Sequence, residues 1–236
     1  MNIRERESLE LSVIMPCYNE ENTVGICVRD ALAFMRENNI CGEVVVVDNA
    51  STDISAQVAT GAGARVVREC IQGYGKAIQT GITNSRGSVF IIGDCDTTYD
   101  FLHMEAMYQL LSEEKCDMVI GNRFAGKMEK GSMSFSHQWG VRFLSFLGRV
   151  CFHTDVYDFH CGLRGIRRDA VEQLDFRTTG MEFASEMIGE AVRNNLCIMQ
   201  VPAVLRNCKY ERKSKLRTVR DGIRHVVYIL KNSIWF

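Results

Sequence analysis

Hydrophobic residues in the first hundred positions come in short unbroken runs, each stopped by polar turn residues. Residues 11–16, 43–48, 64–67 and 88–92 are such runs, and their length, β-favouring content and flanking turns predict buried strands. Stretches of helical spacing lie between them. Val24, Cys27, Val28, Ala31, Leu32 and Met35 share one side of a segment over 23–38, with Asn22 or Thr23 as its cap. A second helix is predicted over about 53–61, capped from Ser51, Thr52 or Asp53. A third opens at the turn Gly73-Tyr-Gly75-Lys76 and runs through about Asn84. Strands and helices alternating at this spacing predict βαβ units and a parallel sheet.

The second half is less regular. Residues 117–121 predict another strand, with Asn122-Arg123 at its end. Residues 125–134 lack apolar periodicity and predict a mobile loop near the site. Residues 139–152 are apolar nearly all round, yet Arg142 and Arg149 lie seven apart and share a helical face. A core helix with snorkelling arginines and a face meeting lipid and its phosphate are both open there. Glu182 and Glu186 share a face by their spacing of four. Near the C-terminus Val219, Ile223, Val226, Val227, Leu230 and Ile234 form an apolar stripe, with Arg217, Arg220, Arg224 and Lys231 on other faces and Trp235-Phe236 beyond. A basic amphipathic helix predicts contact with an anionic membrane surface or a partner; a helix packed on the domain with a solvated basic face is the alternative.

Composition narrows the class. The 236 residues are 46% hydrophobic and 24% charged, which suits a folded α/β protein and argues against disorder. A formal net charge of -1 gives no global attraction to nucleic acid, so anion recognition must come from a local cluster. The ten cysteines form no C-x-x-C pair and several adjoin apolar runs, which predicts reduced, mostly core thiols in a cytoplasmic protein. The charged start (Arg4, Glu5, Arg6, Glu7) does not read as a signal peptide, and no uncharged apolar run approaches 18 residues.

Candidate chemistry centres on Asp94-Cys95-Asp96, where the apolar run 88–92 stops abruptly. Ligands of α/β sheets bind beyond the carboxyl ends of strands, and two carboxylates there can hold a hard divalent cation together with substrate phosphates. Asp48 ends an earlier run in the same way, although a lone Asp there also serves as a helix cap. Gly73-x-Gly75-Lys76 is neither a dinucleotide fingerprint nor a P-loop, and a tight turn with a surface lysine is its plain alternative. His153, His160 and Cys161 fit no zinc spacing, so core packing is the expectation for them.

Four motifs in order, 13–22 (VIMPCYNEEN), 45–53 (VVVDNASTD), 73–77 (GYGKA) and Asp94-Cys95-Asp96, resemble the signature of family 2 glycosyltransferases with the GT-A fold. Further on, 121–124 (GNRF), 158–165 (DFHCGLRG), 180–186 (GMEFASE) and 214–217 (SKLR) resemble the branch that transfers hexoses to polyprenyl (dolichol) phosphate. The resemblance implies an α/β, Rossmann-like, mixed but mostly parallel sheet with flanking helices and a C-terminal amphipathic helix. Residues 1–217 would be the catalytic domain (11–100 the nucleotide-sugar half, 117–217 the acceptor half) and 218–236 a membrane-surface helix. It further implies that Pro16, Tyr18, Asn19 and Glu20 meet the nucleotide, Asp48 its base or ribose, and Lys76 approaches it. Asp94 and Asp96, with Cys95 between them, would hold Mg²⁺ or Mn²⁺ on the diphosphate. Where the family often has two aspartates this chain has Asp48-Asn49, so a role at the second position does not carry over.

On the acceptor side the candidates for clamping a lipid phosphate are Arg123, Arg142, Arg212 and Lys215. UDP-glucose is the first donor expected, then GDP-mannose or UDP-N-acetylglucosamine; oligomeric state stays open. Two other functions compete. Transfer to a hydroxyl of a soluble acceptor would need Asp158 or Glu182 as a base. A non-catalytic nucleotide-binding protein would keep the fold without turnover.

Overall fold

A computed structural model describes residues 9–208, 210 and 218–233. The expected parallel strands form first: β1 (Leu11–Cys17), β2 (Gly42–Asp48), β3 (Arg65–Arg68) and β4 (Val89–Ile92). They are linked by α1 (Val24–Glu37), α2 (Ser55–Gly61) and α3 (Tyr74–Asn84). Val44 to Val47 and Val89 to Ile92 are buried, as an unbroken apolar run requires when helices cover both faces. Thr23 stands at the cap of α1 as expected, though without a side-chain cap bond, while Ile54 takes the cap position of α2. Thr23 turns its hydroxyl back to Glu20, and Asp53 accepts from Ser55 one residue inside the second helix.

The rest of the chain is α4 (Glu105–Ser112), β5 (Met118–Asn122), α5 (Phe135–Phe152), β6 (Arg164–Arg167), α6 (Arg168–Val171), α7 (Phe183–Arg193), β7 (Ile198–Pro202) and α8 (Thr218–Lys231). The seven strands lie in the order β3-β2-β1-β4-β6-β5-β7, a mixed, mostly parallel sheet with flanking helices, as expected. Only β6 runs against its neighbours. Its register sets Arg164 opposite both Ile92 of β4 and Ile120 of β5. The segment entering β6 therefore reaches the sheet edge at which β4 and β5 end, beside Asp94 and Arg123.

Two expectations need correction, and in α8 an open choice is narrowed. Residues 125–134 are tied down: Met128 bridges Leu205, the Glu129 amide donates to the Leu205 carbonyl and the Leu205 amide to Lys127. The helix expected from 139 begins at Phe135, with the Ser134 hydroxyl accepting the His137 amide as its cap. It is not a core helix all round, because Phe135, Trp139, Phe143, Phe146 and Val150 are exposed. In α8 the inward residues are Asp221, His225 and Ile229, while Ile223, Val227 and Leu230 of the apolar stripe face outward. Among the described residues no helix is long and apolar enough to cross a membrane.

Candidate active site

β1 is central: β2 lies on one side of it and β4 on the other, so the connections diverge there, and a crevice at such a point is the usual ligand site of an open α/β sheet. A cleft of about 1310 Å³ opens over these strand ends. Pro16, Tyr18, Glu20, Asp94, Cys95, Asp96 and Arg123 line it, which brings seven predicted residues together.

Asp96 sits in a tight side-chain turn. Its Oδ1 accepts the Thr98 amide at 3.0 Å and also the Thr98 hydroxyl, while Thr97 takes a left-handed φ of 66°. Asp94 is approached by two glycine-dependent elements. A Cβ at Gly162 would overlap Asp94 Oδ2 and come within 3.0 Å of the Tyr99 ring. The Gly162 amide is held by the Tyr99 hydroxyl at 2.8 Å. The Tyr74 phenol, pushed far up by burial and then by the charge of Asp94, hydrogen-bonds to Asp94. A Cβ at Gly73 would strike the Thr179 carbonyl, so this turn abuts 178–180; there the Gly75 and Lys76 amides donate to Gly180 and Thr179.

Arg123, just past the end of β5, lines the same cleft as the acidic pair and is held by Asp158. Its Nε and Nη2 donate to the two Asp158 oxygens, each at 2.7 Å, and its amide adds a third bond at 3.1 Å. Asp158 is 0% exposed and Arg123 6%. Burial alone pulls the Arg123 guanidinium down, but Tyr99 and Asp158 outweigh it and raise it well above its ordinary value. Arg123 is thus a fixed, permanent cation.

Other candidates stand apart from the cleft lining. Asn19 bridges to Ser51 and Thr52 and so braces the two loops against each other, while Asp48 accepts the Ser51 amide at 3.1 Å within its own loop. Lys76 lies 3.8 Å from Glu69. The guanidinium of Arg142 stacks over Phe124 at 4.7 Å. Asp158 lies behind Arg123, which corrects the expectation that it could serve as an open carboxylate base. Glu182 pairs with Arg224 at 2.6 Å and faces a second cleft between α7 and α8. Arg212 and Lys215 lie outside the described residues.

Asn49 has a part that an aspartate could not play. Its amide donates to the carbonyls of Glu69 and Ile71 while its oxygen accepts the Gly73 amide at 2.8 Å, pinning the turn that opens α3. A carboxylate there would set an acceptor oxygen, in place of the donor, against both carbonyls.

The sequence singles out no role for several neighbours of the cleft. Arg164 is 1% exposed and donates to the carbonyls of Phe159, Cys161 and Ala184, with no carboxylate partner among the described residues. His225 of α8 meets Ser185 at 2.9 Å and His160 at 3.2 Å, both at its Nδ1, so the helix is fastened to the site by buried polar groups. Three thiols lie beneath the acidic pair. Hydrogen bonding to Cys17 and then burial hold Cys95 well up, and burial first, then nearby carboxylates, push Cys27 to about 12.

Two carboxylates with no third His, Cys, Asp or Glu grouped to complete a cage among the described residues fit a cation that takes its other ligands from substrate and water, and not a closed structural metal. The space beside Asp94 that Gly162 keeps clear is consistent with that fit.

A mostly parallel sheet with one antiparallel strand inserted beside β4 is the arrangement of the GT-A fold. The chain belongs to glycosyl transferase family 2, whose sequence pattern matches residues 12–175. It is 37% identical over 94% of its length to the low-salt glycan biosynthesis hexosyltransferase Agl6 of Haloferax volcanii, of which it spans 54%. It is 28% identical to a dolichyl-phosphate hexose transferase of the same organism, over 86% of each chain. Among solved structures, glucosyl-3-phosphoglycerate synthase of Mycobacterium tuberculosis, in complex with Mn²⁺, UDP-glucose and phosphoglyceric acid, superposes with a TM-score of 0.74 at 21% identity, covering 95% of this chain and 79% of that one. That likeness is one of fold.

Two outcomes follow from the buried groups. Asp158→Asn leaves Arg123 an uncompensated buried charge and is expected to lower stability by about 3–5 kcal/mol in urea denaturation. His225 is held down at about 4 by burial first, then by Arg164 and Arg224, with Ser185 and His160 also facing it. A histidine in the unfolded chain titrates near ~6.5, so the unfolded state takes up the proton first. The stability contribution is therefore complete above about pH 6.5 and is lost as pH falls toward 4. Melting temperature followed over that range should fall less steeply for His225→Gln than for the unaltered protein.

Proposed function

We propose that this chain transfers a hexose, with inversion, from a nucleotide sugar to the phosphate of a polyprenyl lipid. The observation that carries this reading is that the Asp94–Asp96 tip and the fixed cation Arg123 line one cleft. UDP-glucose is the first donor, with GDP-mannose and UDP-N-acetylglucosamine behind it, on the resemblance of the 158–186 motifs. The hexosyltransferase and dolichyl-phosphate relatives support the hexose and the lipid phosphate.

Asp94 and Asp96 would hold Mg²⁺ or Mn²⁺, which when bound neutralises charge on the departing nucleoside diphosphate. Pro16, Tyr18 and Glu20 line the nucleotide end of the cleft, while Asn19 and Asp48 shape the loops behind them. Arg123 orients the acceptor phosphate, for which a planar guanidinium prefixed by Asp158 is well suited. Arg142, and Arg212 and Lys215 beyond the described residues, are further candidates for that clamp. A phosphate monoester has a second pKa near ~6, so the nucleophile is already ionised at neutral pH and needs no base. Positioning is then the protein's main contribution.

The competing transfer to a hydroxyl needs a carboxylate within reach of the acceptor proton. Asp158 is committed to Arg123 and Glu182 to Arg224, which favours the phosphate acceptor. A binding protein without turnover has no need of a cation fixed in the same cleft as the acidic tip.

Asp96→Asn should reduce transfer at least about a hundredfold, about 2.7 kcal/mol of barrier, without changing the melting temperature. Near-normal turnover in Mn²⁺ would remove the acidic pair from the reaction. Arg123→Lys, which keeps the buried charge but loses the fork, should raise the KM for the acceptor about tenfold while leaving donor hydrolysis near the unaltered rate. Equal loss in both assays would count against the clamp.

A further inference from the structure

Tyr99 lies in the loop that carries the acidic pair, three positions after Asp96, and is 4% exposed although it lines the cleft. Its hydroxyl accepts the Gly162 amide at 2.8 Å and sits 3.8 Å from the Cys161 thiol. The Gly162 backbone in turn abuts Asp94: a Cβ there would overlap Asp94 Oδ2 and come within 3.0 Å of the Tyr99 ring. One phenol thus closes a ring of contacts that runs from the acidic loop to the 158–162 turn and back to Asp94.

The same turn holds Arg123. Asp158 takes three hydrogen bonds from that residue, at 2.7, 2.7 and 3.1 Å. The turn is braced internally, because Asp158 accepts the His160 amide at 3.3 Å and Arg164 binds the Phe159 and Cys161 carbonyls. Two further anchors lead away from the acidic loop. The Phe159 amide donates to the Ser145 hydroxyl of α5, and Arg164 reaches the Ala184 carbonyl of α7. The acidic pair has supports of its own, Thr98 for Asp96 and the Tyr74 phenol for Asp94. Each side is held within itself, and the Tyr99–Gly162 bond joins them. Without that hydroxyl the Gly162 amide would be a buried donor with no acceptor, which costs enough to draw the backbone toward another partner.

We infer that Tyr99 is a positioning residue, acting through Gly162 to fix the separation between the acidic pair and Arg123 that transfer requires. The inference deepens the transferase reading and rests on it for what the two sides hold.

The test is Tyr99→Phe, which keeps the ring and removes the hydroxyl. Hydrogen exchange at the Gly162 amide should speed up by at least about tenfold. The acidic pair keeps its other supports, so donor hydrolysis in Mn²⁺, and the KM for donor and for acceptor, should stay within about twofold. The kcat for transfer should fall about tenfold, since a misplacement of ~1 Å costs on the order of a hundredfold. A residue needed only for stability would lower hydrolysis and transfer together, in step with the melting temperature. That result, unchanged transfer, or unchanged exchange at Gly162 overturns the inference.

A double-mutant cycle checks the route through Gly162. Gly162→Ala presses a methyl group onto Asp94, so donor hydrolysis should fall along with transfer. With the Tyr99 hydroxyl also removed the turn can back away, and the double variant should hydrolyse the donor at least about threefold faster than Gly162→Ala alone. Equal or slower hydrolysis in the double variant overturns the inference. Exchange and hydrolysis are both read without an acceptor, so they decide the role of Tyr99 even if the unaltered chain transfers nothing to a lipid phosphate. That last result would sink the proposed acceptor instead.

Discussion

One reversed strand organises the molecule. Every other strand delivers its carboxyl end to the same edge, and β6, running against β4 and β5, delivers its beginning there instead. Because Arg164 stands level with Ile92 and Ile120, the turn before it is wedged between the tips of two strands. Asp158, His160 and Gly162 all lie on that turn, so the partner of Arg123, the contact to α8 and the space beside Asp94 come from one short stretch. Arg164 fastens it from below through three carbonyls. A guanidinium buried without a carboxylate is costly, and its hydrogen bonds to aligned carbonyl dipoles offset part of that.

The two halves of the site differ in how they are held. Hydrogen bonds fix the side built on β1 to β4, between loops from Asn19 to Thr52 and Asn49 to Gly73, and within one loop from Asp96 to Thr98. The side built on β5 and the helices after it depends on charge, with Arg123 on Asp158 and Arg224 on Glu182. One oxygen of Glu182 is buried without a hydrogen-bond partner among the described residues, so the fastening of α8 is less complete than that of the sheet.

Much of the first half is legible in the sequence for a simple reason. A buried parallel strand must be apolar throughout, and an aspartate directly after it has to sit at the sheet edge; hence the valines of β2 and the abrupt end at Asp94. The second half obeys no such period. β6 is four residues with an arginine at each end, and nothing local announces that Arg164 is buried. Arg123 and Asp158 are 35 positions apart and meet only through β6. α8 follows a different rule. Its buried line is Asp221, His225 and Ile229, so the hydrophobic stripe marks the outside, and only the polar partners on α7 and the 158–162 turn reveal which side is in. Tyr74 and Tyr99 read as ordinary aromatics; their contacts to Asp94 and Gly162 exist only after folding.

The thiols around the acidic tip have a practical bearing on chemical labelling. Cys17, Cys27 and Cys95 are enclosed, and two of them are kept protonated far beyond neutrality, so they are poor nucleophiles. Cys41, Cys70 and Cys197 are exposed and lie outside the cleft lining. A maleimide dye or spin probe should therefore attach at the periphery and spare the catalytic floor, giving native handles for following conformational or lipid-bound states without first stripping the chain of its cysteines.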